Sequence, residues 1–175
     1  MKKILLISGG MDSLLIYFSK KEIFDKYIYI DYGHRFLKKE LEKIEKLGIN
    51  FETIKISNLK DNNGFFYGRN LRFMIAVREK FINENIAVYF GNNIDDNYND
   101  NTYEFLQRTE KIINDSYPDA TFRICCPLKD LSKQEIMLEC KKNDIDFYFC
   151  DSGMEEPCKK CHSCIAMIDA KLMEV

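Results

Sequence analysis

The stretch Lys3-Ile4-Leu5-Leu6-Ile7 runs straight into Ser8-Gly9-Gly10-Met11-Asp12-Ser13. An apolar strand thus enters a tight turn of small residues, and a helical pattern follows. That order builds a phosphate site. Two adjacent glycines let the backbone approach an anion with no Cβ in the way. Successive N–H groups in such a turn form a concave nest, and the helix start behind it adds partial positive charge. The hydroxyls of Ser8 and Ser13 add donors. The string is neither G-x-x-x-x-G-K-[ST] nor G-x-G-x-x-G, the two common phosphate fingerprints.

Outward from this turn, strands and helices alternate. The pattern predicts strands at Lys3–Ile7, Tyr27–Ile30, Phe51–Ile56, Ile86–Phe90 and Thr121–Cys125. It predicts helices at Asp12–Lys20, Arg35–Leu47, Arg69–Asn83, Thr102–Asp115 and about Ser132–Lys142. Leu37, Leu41, Ile44 and Leu47 share one helical face, and Gly48 follows as a stop. Ser132-Lys133-Gln134-Glu135 reads as a capping box. Asn58–Gly68 reads as a loop, with Asn62-Asn63-Gly64 as its turn signal. Phe147–Cys150 reads as strand-like and Ile165–Met173 as a last helix.

Strands separated by helices imply an α/β fold, a mostly parallel sheet flanked by helices on both faces. Ligands of such sheets bind outside the carboxyl ends of the strands. Ser8–Ser13, Asp31–Arg35 and Gly91–Asp100 each follow a strand, so they are expected to converge on one sheet edge.

The composition suits one domain spanning 1–175: 46% apolar, 31% charged, net charge −2. That charge gives no global case for nucleic-acid binding. No apolar run approaches a membrane span, and the first one ends at Ser8-Gly9-Gly10 rather than extending into a signal peptide. The expectation is a cytoplasmic chain that starts inside its fold.

Seven cysteines with no secretory signal argue against a disulfide framework. Cys150-x7-Cys158-x2-Cys161-x2-Cys164 offers four thiolates in one local segment. Tetrahedral zinc suits that set, with no coordination position left open, so the site reads as structural. An iron–sulfur cluster or free thiols are the rivals, and His162 is an alternative ligand. Cys125, Cys126 and Cys140 read as core residues.

Ser8-Gly9-Gly10-x-Asp12-Ser13 resembles the pyrophosphate loop of the ATP pyrophosphatase superfamily. With the terminal cysteines it resembles one branch, the 7-cyano-7-deazaguanine synthase family of the queuosine pathway. Asp31-Tyr32-Gly33-His34-Arg35 is similar to that family's D-Y-G-Q-R, and Tyr67-Gly68-Arg69-Asn70 to its P-G-R-N. Asn97-Tyr98-Asn99-Asp100 with Glu104-Phe105 is similar to G-Y-P-D-C-R-P-E-F. Pro127-Leu128 and Leu131-Ser132-Lys133-Gln134-Glu135-Ile136 are similar to P-L…L-S-K-x-E-I. Pro157-Cys158-x-x-Cys161-His162-Ser163-Cys164 is similar to P-C-G-x-C-D-S-C. The matches run in order along nearly the whole chain.

The resemblance implies an adenine nucleotide alpha hydrolase-like, Rossmann-like fold. It also implies a reaction in which ATP and Mg²⁺ adenylate 7-carboxy-7-deazaguanine. Ammonia displaces AMP to give an amide, and a second ATP drives dehydration to the nitrile. By position, Ser8, Gly9, Gly10, Asp12 and Ser13 would hold pyrophosphate, with Tyr32, Arg69 and Asn70 also at the nucleotide. Asp12, Arg69 and Lys133 are the catalytic candidates. Asp12 suits a Mg²⁺ role or a helix-start role, and Lys133 would offset phosphate charge. Asp95, Asp100 and Glu104 are candidates for the deazaguanine N–H edge, and Tyr32 or Tyr98 for stacking on a base. Cys150, Cys158, Cys161 and Cys164 would hold Zn²⁺. The family analogy adds a homodimer, and the net charge of −2 leaves no nucleic-acid partner expected.

The chain departs from the family pattern in three ways. It is short, with the segment after Phe51 and the loop after Gly91 trimmed. Asn101-Thr102-Tyr103 replaces Cys-Arg-Pro. His34 stands where the family has Gln. A related enzyme that stops at the amide or passes the adenylate to another acceptor, tRNA thiolation, and a nucleotide-binding module without turnover are the other readings.

Overall fold

A computed structural model describes residues 1–20, 23–57, 59, 61–62, 65–96, 98–147, 150 and 156–169. The order is β1 (Lys2–Leu6), α1 (Met11–Lys20), β2 (Lys26–Asp31), α2 (Leu37–Lys46), β3 (Glu52–Lys55), β4 (Asp61–Asn62) and β5 (Phe65–Phe66). It continues with α3 (Arg69–Lys80), β6 (Ile86–Tyr89), α4 (Tyr103–Ser116), β7 (Phe122–Cys125), α5 (Lys133–Lys142) and α6 (His162–Asp169).

Five strands form one sheet in the order β3-β2-β1-β6-β7, and every pairing is parallel. This is a Rossmann-like α/β fold. The apolar run of β1 is continuous because both its faces are buried. Leu5 and Ile7 join one core with residues of α1, α2, α5 and α6, whereas Ile4 and Leu6 join a second core with α3 and α4. Cys140 and Cys126 sit in these two cores as expected, and Cys125 is half-buried.

From β1 the chain steps outward to β2 and β3, then returns to lay β6 on the other side of β1. The strand order therefore reverses between β1 and β6. The loops leaving those two strands part to opposite faces and leave a crevice, the usual ligand position in open parallel sheets.

The expected elements are present, with shifts that have local causes. Helix α2 starts at Leu37 rather than Arg35: Arg35 and Phe36 form a turn closed by Leu37 N donating to His34 O at 3.2 Å. Helix α3 ends at Lys80 rather than Asn83. The guanidinium of Arg78, itself fully buried, donates to the carbonyls of Phe81, Glu84 and Ala120, turning the chain toward β6. Thr102 caps α4 by accepting from Phe105 N at 3.2 Å, and the capping box of Ser132 and Glu135 is formed. The loop expected at Asn58–Gly68 carries a short antiparallel pair, β4 with β5. Residues 63–64 of its turn lie outside the described residues, as do 148–149 of the expected strand. The last helix begins earlier, at His162, and 170–175 lie outside the described residues.

At the far side of the sheet, β7 is an edge strand whose outward groups are taken by α4. Asn114 accepts from Phe122 N and donates to Phe122 O, both at 2.8 Å, and Glu110 accepts from Ile124 N at 2.6 Å. Among the described residues no helix is long and apolar enough to cross a membrane.

Near the amino ends of the strands, Glu52 bonds Lys26 at 2.6 Å and Lys80 at 2.8 Å. These lysines lower its carboxyl to about 2. A carboxylate with a depressed folded-state value stabilises the fold above its unfolded value of about 4.5, and that contribution is lost as pH falls toward 2. Both partners are exposed, so screening keeps the effect small. Glu52→Gln is expected to lower Tm by no more than about 3 °C at pH 7. The gap to wild type should close as thermal melts are repeated from pH 5 down to pH 2.

Candidate active site and cysteine centre

The turn after β1 is organised by its own hydroxyls. Ser13 Oγ accepts from Ser8 N at 3.1 Å and donates to Gly10 O at 3.0 Å. Ser8 Oγ accepts from Gly10 N at 3.3 Å. Gly9 has φ +74°, and a Cβ there would lie 3.1 Å from Glu40 O and 3.3 Å from Lys43 Cβ. Glycine is thus required by conformation and by the closeness of α2.

Across the crevice, Gly91 leaves β6 directly against the start of α1. A Cβ on Gly91 would stand 2.7 Å from Asp12 Cβ. The loop then docks on the start of α5: Ile94 N donates to Leu131 O at 3.0 Å, and Lys133 N donates to Asp95 Oδ2 at 2.7 Å. This docking presents the Lys133 ammonium to Asp12, with Nζ 3.2 Å from Oδ2. Asp12 Oδ1 is buried and has no hydrogen-bond partner among the described residues.

A cavity of about 280 Å³ opens here. Of the residues singled out from sequence, Ser8, Asp12, Ser13, Tyr32, Arg69, Asn70 and Lys133 line it. The fully buried Asn70 donates to Asp100 O and to Asn101 Oδ1, both at 2.9 Å, and its backbone N–H donates to Asp100 Oδ2 at 3.2 Å. Asp100 therefore caps the start of α3. Arg69 stands 5.9 Å above the Tyr32 ring and 5.8 Å above Phe73. Tyr32 is itself packed on His34, Phe66 and Phe73.

Asp95, Tyr98, Asp100, Glu104, Gly9 and Gly10 are not in the cavity wall. Tyr98 and Glu104 are exposed, and Asn97 lies outside the described residues. Glu40 and Asp96 line the cavity without having been singled out. Asp96 Oδ2 accepts from Asn93 N at 2.9 Å and from Asn92 Nδ2 at 3.3 Å. Burial, reinforced by the Asp12 charge, pushes the Asp96 carboxyl up. Glu40 Oε2 accepts from Tyr29 OH at 2.8 Å and from His34 Nε2 at 2.9 Å. No sequence signal distinguishes Asp96 from Asp95, and Glu40 reads as one more charge on an amphipathic helix.

The cysteine segment forms a separate centre. The Sγ atoms of Cys150, Cys158, Cys161 and Cys164 all lie within 4.8 Å of one another, and none is in a disulfide. Backbone N–H groups of Cys158, Cys161 and Cys164 point at the sulfurs of Cys150, Cys158 and Cys161, at 3.3–3.4 Å. Such donors favour thiolates, and backbone bonds from Lys160 and Cys161 help pull Cys158 down to about 6. A tetrahedron of sulfurs at the zinc–thiolate distance has edges of about 3.8 Å. The Cys158–Cys164 separation of 3.9 Å matches it. The four residues can hold one metal ion.

Residues 57–171 match the family model described as Queuosine biosynthesis protein QueC. The 7-cyano-7-deazaguanine synthase of Aquifex aeolicus (strain VF5) is 30% identical over 209 aligned positions, covering 95% of this chain and 94% of that protein. The one from Aliarcobacter butzleri (strain RM4018) is 29% identical over 205 positions, covering 93% and 87%. The one from Campylobacter jejuni (strain RM1221) is 27% identical, covering 94% and 90%. These alignments run over more positions than the chain's 175 residues, so the relatives carry segments without a counterpart here. With the match of most of its length and these relatives along nearly all of it, the chain belongs to the QueC family.

Proposed function

We propose that this protein is an AMP-forming ligase that converts 7-carboxy-7-deazaguanine and ammonia to 7-cyano-7-deazaguanine at the expense of ATP. The observation that carries the reading is the serine–glycine turn at Ser8–Ser13, joined to Asp12, Arg69 and Lys133 in one cavity at the crevice of a parallel sheet, in a member of this family.

In this reading the substrate carboxylate attacks the α-phosphorus of ATP and pyrophosphate leaves. Ammonia then displaces AMP to form the amide. The amide oxygen is adenylated in turn, and loss of AMP and protons leaves the nitrile. The protein positions reactants and steadies charge. Ser8 and Ser13, which line the cavity, hold the departing pyrophosphate, and the start of α1 behind them adds partial positive charge. Lys133 shifts from Asp12 to phosphate oxygens, and Arg69 neutralises charge from the opposite wall. The buried Asp12 Oδ1, lacking a partner, suits a role beside Mg²⁺. Mg²⁺ would supply neutralisation of the phosphate charge. Zn²⁺ at the four cysteines would be structural, holding α6 to the body within a single 1–175 domain. The protein would act in the cytoplasm as a homodimer, on small molecules rather than nucleic acid.

One observation favours a second reading, release of the amide or use of another acceptor. At the positions of the family's Cys-Arg, Asn101 is engaged by Asn70 and Thr102 serves as a helix cap. Neither supplies a cation. Incubation with ATP, Mg²⁺, ammonium and 7-carboxy-7-deazaguanine, read by mass spectrometry, separates the readings. Nitrile and AMP are the expected products. Amide with AMP supports the second reading, and no substrate-dependent AMP refutes both.

A further inference from the structure

Three carboxylates line the cavity, those of Asp12, Glu40 and Asp96. The phosphate chemistry uses neither Glu40 nor Asp96, and Asp96 Oδ2 is taken up within its own loop by Asn92 and Asn93. Glu40 lies in the first turn of α2, on an otherwise strongly charged helix. Here it is gripped by buried aromatic residues. Tyr29, almost wholly buried, donates its hydroxyl to Oε2, and burial pushes that hydroxyl up so that it stays a donor. His34, with 2% of its side chain exposed, makes the second bond to the same oxygen. A carboxylate only accepts, so Nε2 of His34 carries the hydrogen. The His34 ring is held in turn by Tyr32, stacked on it at 4.2 Å and 7°. His34 Nδ1 is buried with no partner among the described residues.

Both bonds land on Oε2, which leaves Oε1 as the other acceptor of a fixed carboxylate. The cavity that Glu40 lines also has the rings of Tyr29, Tyr32 and Phe73 in its wall. The negative charge repels phosphate and carboxylate groups. An acceptor-only carboxylate in a cavity that also presents aromatic rings suits a planar heterocycle with an N–H donor.

We propose that Glu40 determines base specificity, accepting a hydrogen bond from the amino group of a purine-type ring, with Tyr29 and His34 as its positioning residues. The inference rests on the synthase reading, which supplies two such rings, the adenine of ATP and the 7-deazaguanine. The chemistry is shared, and the experiment separates the sources.

Wild type, Glu40→Gln, His34→Gln and His34→Ala are titrated calorimetrically with four ligands. These are ATP, purine riboside triphosphate, 7-carboxy-7-deazaguanine and its analogue without the amino group. Wild type should bind one amino-bearing ligand about tenfold or more tighter than its amino-free partner, as loss of a charge-assisted hydrogen bond requires. Glu40→Gln should erase that preference. Its loss in the triphosphate pair assigns adenine, and its loss in the deazaguanine pair assigns the acceptor substrate. His34→Gln, whose amide can still donate to Glu40, should keep the preference, and His34→Ala should lose about threefold or more of it. If Glu40→Gln does not fold by circular dichroism, Glu40→Asp, which withdraws the charge by one methylene, gives the same readout.

A merely structural Glu40 would weaken amino-bearing and amino-free ligands alike, and that result overturns the inference. So does a wild type with no preference in either pair. Wild type that shows the preference but forms no AMP overturns the synthase reading and leaves this inference standing. Normal nitrile formation with the preference intact in Glu40→Gln does the reverse.

Discussion

Gly91→Ala is expected to lower kcat/KM for AMP formation by about 100-fold or more, the cost of misplacing reacting groups by about an ångström. The added methyl would stand 2.7 Å from Asp12 Cβ and 3.5 Å from the backbone of Asp12 and Ser13. Those atoms belong to the first turn of α1 and cannot yield alone, because the same turn holds Ser13 Oγ against Ser8 and Gly10. The loop after β6 has to retreat instead, and it carries the Asp95 bond that sets Lys133. Overpacking of this kind costs about 1–3 kcal/mol of stability. Ile113→Val, which trims the α4 core at about 1 kcal/mol, is the matched comparison and should leave turnover intact. Turnover of Gly91→Ala within threefold of wild type would show that this close approach does not set the catalytic geometry.

The largest effect on stability is expected at the cysteine centre. Cys164 and Cys150 are buried, and α6, which carries Cys164, sends Met167 into the core shared with α1 and α5. Zinc bound by four thiolates contributes folding free energy directly, because the unfolded chain has no such site. Cys164→Ser should lower zinc content from one per chain toward zero, measured by plasma emission, and should lower Tm by about 10 °C or more. Chelation of wild type should do the same and expose the segment after Phe147 to protease. A metal-free wild type with unchanged Tm and protease resistance would refute a structural metal.

Local signals carried most of the fold and half of the site. The strand into Ser8-Gly9-Gly10 is read from one contiguous stretch, and so are the cysteine spacings and the Ser132–Glu135 box. The rest depends on contacts between distant residues. Asp95 and Asp96 are adjacent and chemically identical, yet the docking of their loop on α5 turns one to Lys133 and the other to the cavity. Asp100 is taken up by Asn70 at the start of α3 rather than facing the cavity. Glu40 becomes a cavity residue only because Tyr29 and His34, on β2 and just after it, reach its carboxylate. The end of α3 likewise depends on Ala120, which accepts from Arg78 across 42 residues of sequence.

The grip of α4 on β7 bears on how copies of this chain can meet. An open strand edge is a template on which another strand can hydrogen-bond, and it invites dimerisation by sheet extension or fibre growth. Asn114 offers Phe122 one donor and one acceptor, as a neighbouring strand would, and Glu110 takes the next outward N–H. A helix thus impersonates a sixth strand with two side chains. That flank of the sheet is sealed against strand addition, and two copies that pair must meet on another surface.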